Sequence, residues 1–243
     1  YEMAVGVCDA DGAQGPAEKE FLARLAAALQ LPANVAGQVS AGADEVADAA
    51  FAPDVPSTAA PVSGTVLGKA SVSTAEMDKL VLNASITNAA LELLPETFAS
   101  MAIIPLQLRL VYRIGKAHGY EMDRTHARDF LATLGVGLTG QYLEQFGRKL
   151  LGGVLGGLGG GLGRAVGRQA ASSGMTFATT YAIGRVAQRY YAAGRALDAA
   201  SLEQTFAGLL DEARGLAPRY REQIEQKAAT IDVRGLASLI KQA

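Results

Sequence analysis

The 243-residue chain is predicted to be all-α: a small N-terminal helical module, a linker, and a larger helical bundle that contains a glycine-rich segment. Three observations predict this fold class. Apolar residues recur at the three- and four-residue spacing of amphipathic helices. Residue patterns that begin and end helices flank these stretches. No stretch alternates apolar and polar residues as a half-buried strand does.

The N-terminal module is predicted to span residues 1–51. Its main helix opens at Pro16 and ends before Pro32, because proline suits the first turn of a helix but cannot continue one. The apolar stripe of that helix comprises Phe21, Leu22, Leu25, Ala28 and Leu29. Residues 52–73 combine proline and glycine with serine, threonine and alanine, which predicts a linker and a domain boundary.

The larger bundle is predicted to span residues 74–243. Ser73 and Glu76 have the capping-box spacing at the start of its first helix. Pro105 is predicted to kink or break the next long apolar helix. Later helix boundaries are predicted at Gly119, Asp123 and Ser201.

Charge is distributed unevenly along the chain. The net charge is −2, yet residues 146–197 contain no acid and seven bases. Such a segment faces either an anionic surface or the acidic N-terminal third of its own chain, and both alternatives remain open. The bases predicted to contact a membrane or another anionic surface are Arg148, Lys149, Arg164, Arg168, Arg185 and Arg189. The seventh base is Arg195.

Eight of the 14 residues in 150–163 are glycine. Glycines spaced four apart let another backbone approach a helix closely, which predicts close packing at Gly152, Gly156, Gly160 and Gly163. Each glycine costs about 1 kcal/mol relative to alanine in a helix, so a helical form needs a packing partner or a bilayer. The uncharged runs here are shorter than the roughly 20 residues of a membrane span. Shallow membrane contact, a buried core and a flexible loop remain open.

Carboxylates cluster near the first turn of the chain. Asp9, Asp11, Glu18 and Glu20 could surround a hard divalent cation, and the alternative is an acidic turn between two helices. His126, three residues from both Asp123 and Asp129, is compatible with a metal site but is typical of a solvated helix face.

No catalytic motif is present in the sequence. It lacks HExxH, GxxxxGK[ST] and GxSxG, and its lone Cys8 excludes an intrachain disulfide. We therefore predict no enzymatic activity and no cofactor other than a divalent cation. Nucleic acid is not an expected partner, because the bases of 146–197 are interleaved with leucine and glycine rather than with stacking aromatics.

Two family resemblances follow from longer stretches. AVGVCDADGAQGPAEKEFLARLAAAL resembles the TerB-like helical module of tellurite-resistance proteins, over about residues 1–50. LELLPETFASMAIIPLQLRLVYRIGKAHGYEM and SSGMTFATTYAIGRVAQRYYAAGR resemble the YcjF-like family of unknown function, over about residues 74–215. The second resemblance implies a bacterial helical protein at the inner membrane and no agreed catalytic residues.

The sequence thus predicts a non-enzymatic, membrane-associated protein at the cytoplasmic face of the inner membrane, with a role in envelope or metal-stress response. One alternative is a soluble helical carrier of a lipid or other apolar ligand. Another is a divalent-metal sensor. The expected partners are a membrane surface or an apolar ligand, with a protein partner or a second copy of the chain as further candidates.

Overall fold

Helices account for all the regular structure in the part of the chain described, which confirms the all-α prediction. In the computed structural model, no strand occurs within the residues described. These are residues 1, 4–5, 8, 14–52, 73–94, 102–134, 162–232 and 235–242. Of residues 162–171 and 242, the backbone alone is described.

The helices follow one another with short connections where the chain is described. In chain order they are α1 (Pro16–Ala28), α2 (Ala33–Ala49), α3 (Thr74–Leu93), α4 (Ile103–Ala117), α5 (Arg124–Thr133), α6 (Leu162–Ala192), α7 (Ala199–Leu216), a 3-10 turn (Ala217–Tyr220), α8 (Arg221–Thr230) and α9 (Leu236–Gln242).

Several helix ends lie where the sequence predicts them. The Ser73 hydroxyl accepts a hydrogen bond from the Glu76 amide at 3.2 Å, and the Glu76 carboxylate accepts one from the Ser73 amide at 3.1 Å. Asp123 accepts a hydrogen bond from the His126 amide at 2.8 Å and so caps α5. Gly119 has a φ of +82°, the left-handed conformation that commonly follows a helix.

Two helix starts differ from the prediction. Asp198, rather than Ser201, caps α7: its carboxylate accepts a hydrogen bond from the Ser201 amide at 2.8 Å, which places Ser201 in the first turn. Pro105 does not interrupt a longer helix, because α4 begins at Ile103. Proline in a first turn lacks an amide that would have had no intrahelical partner.

Helices α3 and α6 pack against each other through the centre of the bundle. Residues 84–92 of α3 are all buried, so other parts of the protein enclose this half of the helix on every side. Gly184 allows the close approach. A β-carbon there would lie 2.7 Å from both methyl groups of Val81 and 3.2 Å from Leu110.

Two adjacent serines of α6 form hydrogen bonds with α3 across this central interface. The Ser172 hydroxyl donates to the buried Glu92 carboxylate at 2.6 Å, and Ser173 donates to the Ala89 carbonyl at 2.9 Å. Because buried polar groups are costly when unpaired, these contacts favour one alignment of α6 on α3.

A buried arginine on α4 connects the segment that follows α2 with α9. Arg109 is 1% exposed. Its Nη1 atom lies 2.5 Å from the Ala52 carbonyl, just after α2, and its Nη2 atom lies 2.9 Å from the Lys241 carbonyl in α9. Both carbonyls lie at helix C-termini, where the helix dipole favours a cation.

Helix α1 leaves most of its predicted apolar stripe uncovered. Leu22 packs against Val5 and Ala43, whereas Phe21 and Leu29 are 52% and 51% exposed. The predicted apolar stripe is therefore only partly buried, since Ala28 is exposed as well. Leu22 packs in the small cluster with α2, and the face of α1 that bears Phe21 and Leu29 remains in contact with solvent.

Helix α2 packs on the larger bundle. Asp48 pairs with Arg124 at 2.5 Å, and the ring of Phe51 meets that of Tyr112 edge-on at 5.9 Å. The predicted linker, 52–73, lies almost wholly outside the described residues, so the predicted boundary stays a prediction.

Aromatic rings gather at the C-terminal end of α6. The centroids of Tyr120 and Tyr191 are 5.3 Å apart, and those of Phe130 and Tyr190 are 5.4 Å apart. Burial raises the pKa of Tyr191 to about 12. This cluster holds α5 and the turn before it against α6.

Candidate ligand-binding cleft

A cleft opens where α7 turns into α8. Proline has no amide to continue a helix, and Pro218 directs the chain through the 3-10 turn before α8 begins. Helix α8 then lies against α3, and α7 lies against α6. The end of α3, one turn of α6 and the α7–α8 corner therefore surround a common space.

The cleft has a volume of about 400 Å³ and an apolar floor. That volume lies within the range of small-molecule sites in proteins, roughly 300–1,000 Å³. Its apolar lining residues are Leu93, Met175, Ala217, Pro218 and Ile224. A β-carbon added at Gly174, which also lines the space, would lie 3.9 Å from the Ala217 β-carbon, an ordinary contact distance.

Three charged side chains stand around this apolar floor. Arg214 lies 2.9 Å from the carboxylate of Asp211, one turn earlier on α7. Arg221 and Glu225, both exposed, form no ion pair with any residue in the described ranges. The cleft thus combines an apolar interior with a charged and hydrated edge.

Hydrogen bonds to α3 hold the α6 side of the cleft in place. Ser173 lines the cleft, but its hydroxyl donates to the Ala89 carbonyl on α3. Ser172 binds the Glu92 carboxylate, which is 3% exposed. These contacts hold the cleft residues in place and leave the Ser173 hydroxyl proton engaged.

The bases of the acid-free segment differ in their contacts. The guanidinium of Arg185 pairs with the Asp78 carboxylate on α3, which agrees with the alternative that bases of this segment face the acidic third of the chain. Arg189 is exposed in the last turn of α6 and has no ion-pair partner within the described part. Arg195 forms a hydrogen bond with Tyr190, which raises the pKa of the guanidinium.

The remaining predicted positions of this segment lie mainly outside what is described. Arg164 and Arg168 belong to the first turns of α6, as backbone alone, and so does Gly163. Arg148, Lys149, Gly152, Gly156 and Gly160 lie outside the described residues. Membrane contact and glycine-mediated packing at these positions stay predictions.

The predicted metal-binding carboxylates are not seen as a group. Asp9 and Asp11 lie outside the described residues. Glu18 accepts a hydrogen bond from the Gly15 amide at 2.6 Å and so caps α1, while Glu20 is exposed. Among the described residues, no three His, Cys, Asp or Glu side chains are placed to share a metal ion.

His126 pairs with the cap of its own helix. Its Nδ1 atom lies 2.8 Å from the Asp123 carboxylate. The pKa of Asp123 is lowered, first by the hydrogen bond from the His126 amide. This carboxylate is thus occupied in starting α5.

Sequence patterns did not reveal the cleft, because its walls come from distant parts of the chain. Arg221 and Glu225 are four residues apart, which is typical of a solvated helix face. Leu93 and Ile224 resemble ordinary core positions. Pro218 was the available signal, since it marks a sharp corner after an amphipathic helix.

Comparisons of the chain with models of protein families, with curated proteins and with solved structures find no match. The resemblances to TerB-like and YcjF-like proteins therefore stay predictions. Within the described ranges, no helix combines the length and the apolar character needed to cross a bilayer.

Proposed function

We propose that the protein is a non-enzymatic helical carrier that binds an amphipathic ligand, an apolar chain with a polar head, in the cleft between α3, α6, α7 and α8. The observation that carries this proposal is the 400 Å³ space with an apolar floor and charged edge. An apolar chain on the floor would remove the exposed parts of Leu93, Met175 and Pro218 from water, and each Å² of apolar surface so buried contributes about 25 cal/mol.

The lining supports binding rather than catalysis. Its one hydroxyl among the residues described, that of Ser173, donates to a backbone carbonyl. No histidine or cysteine is among the described lining residues, so a nucleophile paired with a base is not present there.

Filling the cleft should block the ligand. We expect Gly174→Leu to weaken binding of decanoate and of 1-decanol about tenfold or more, or about 1.4 kcal/mol, because the new side chain occupies the floor. Isothermal titration calorimetry on the full chain measures both affinities.

Native mass spectrometry of the purified, unaltered protein should also detect a bound lipid.

Gly208→Leu is the matched control. Gly208 lies exposed on α7, and an added β-carbon there meets nothing within 4 Å. It should bind both ligands as the unaltered protein does. Failure of the unaltered protein to bind either ligand, or equal binding by the Gly174→Leu variant, would contradict the carrier proposal.

A membrane-surface role is the second candidate. Arg189 in the acid-free segment favours it, because this side chain is exposed and forms no ion pair with another described residue. We expect the full chain to sediment with phosphatidylglycerol vesicles and to dissociate in about 0.5 M NaCl, because salt screens surface charges. A base near an anionic membrane contributes about 1 kcal/mol, so Arg189→Gln should lower the affinity roughly fivefold.

Lys79→Gln, an exposed base on α3 outside the acid-free segment, is the control for this experiment and should sediment normally. Equal sedimentation with uncharged phosphatidylcholine vesicles, or none with either lipid, would count against the membrane role.

A further inference from the structure

We infer that the cleft selects a ligand with an acidic head, a carboxylate or phosphate, and that Arg221 and Arg214 bind that head. This inference rests on the proposed function and names the ligand class of the same site. The two arginines lie on opposite sides of the α7–α8 corner, and both line the apolar space. An amphipathic ligand on the floor would therefore present its head to both.

Arg221 is the primary candidate for head-group recognition. It forms no ion pair with another described residue. A guanidinium presents a planar set of N–H donors that matches carboxylate and phosphate oxygens two at a time. Binding an anion here breaks no ion pair within the described part of the chain.

Arg214 adds a second, positioned donor. The Asp211 carboxylate contacts its Nη1 atom at 2.9 Å. A guanidinium has five N–H groups, so one such contact leaves donors for a ligand. The Asp211 side chain, itself 75% exposed, does not line the cleft.

Glu225 is the negatively charged residue of the lining. Removing its charge should raise the affinity for an anionic head, and removing that of Arg221 should lower it. The residues lining the cleft include two arginines and this one carboxylate, while Asp211, which offsets part of the Arg214 charge, lies outside the lining. An anionic head would therefore meet more N–H donors than carboxylate oxygens at the cleft itself. A cationic head would meet the reverse balance. The head lies at a hydrated edge, where charge interactions are modest, while the apolar floor provides chain binding that is independent of charge.

Ligands of equal chain length separate the head from the chain. For decanoate and 1-decanol, calorimetry should show decanoate binding about tenfold more tightly. Arg221→Gln should lower the decanoate affinity about five- to tenfold and leave that of 1-decanol unchanged. Glu225→Gln, a matched neutral change one turn away, should raise the decanoate affinity about two- to threefold.

Each other outcome has a defined meaning. If neither ligand binds the unaltered protein, the carrier proposal itself fails. If both bind with equal affinity and Arg221→Gln alters neither, the carrier proposal stands and the acidic-head inference is overturned. Inorganic phosphate that binds as tightly as decanoate would also overturn it, since the site would then recognise a free anion. Far-ultraviolet circular dichroism of both variants should be unchanged, because both side chains are exposed.

Discussion

Gly184→Ala should lower the free energy of unfolding by about 1–3 kcal/mol, the usual cost of overfilling a packed core. The new β-carbon would lie 2.7 Å from both methyl groups of Val81, a separation that side chains do not adopt. The side chain of Val81 is stiff at χ1 and cannot rotate away freely. Helices α3 and α6 must therefore separate locally, although alanine is the better helix former.

Thermal unfolding followed by circular dichroism measures this effect. For a domain of this size, about 1 kcal/mol corresponds to about 2–4 °C in the melting temperature. Gly208→Ala is the matched control, because that glycine is exposed on α7 and has open space around it. This variant should gain about 0.5–1 kcal/mol from helix propensity alone.

A double variant identifies the cause. Val81→Ala removes the two methyl groups that the β-carbon introduced by Gly184→Ala would meet, so the pair should be more stable than the sum of the single effects predicts. Coupling of about 0.5–3 kcal/mol is typical for residues in contact. Strict additivity, or an increase in stability for Gly184→Ala, would show that α3 and α6 do not depend on this close approach.

Helix ends were predictable from sequence where the interaction is local. Ser73 and Glu76 cap α3 within one turn, and Asp123 caps α5 in the same way. The Ser201 prediction was wrong because Asp198, three residues earlier, offers an equally suitable acceptor. Choosing between two neighbouring caps depends on the packing of the whole helix, which a local pattern does not contain.

The interfaces between helices could not be predicted from local sequence patterns. Gly184 has no signature that distinguishes it from the many other glycines of the chain, because its role depends on Val81, which is distant in sequence. The cleft has the same origin, since Leu93 and Ile224 meet only after α8 folds back on α3.

The charge pattern allowed two partners for the acid-free segment, an anionic surface or the acidic residues of the same chain. For one of its bases the partner is within the chain, because Arg185 pairs with Asp78.

Arg109→Met should destabilise the protein by about 2–4 kcal/mol, because the carbonyls of Ala52 and Lys241 lose their donor. Methionine fills similar space without a charge. Each buried polar group left without a partner costs about 1–3 kcal/mol. Arg109→Lys should be intermediate, because an ammonium is a point donor and cannot serve two carbonyls in the planar geometry of a guanidinium. Urea unfolding of both variants measures the loss.

The Arg109→Met variant should also loosen α9 and the segment that follows α2 before the rest of the protein. We expect hydrogen exchange to accelerate first in α9 and around Phe51, because the guanidinium connects those segments to α4, while α3 and α6 remain protected. Lys116→Met, which alters an exposed cation on the same helix, is the control and should change neither stability nor exchange in α9. Uniform acceleration across all helices would show that Arg109 contributes to general packing and does not specifically join α9 to the segment that follows α2.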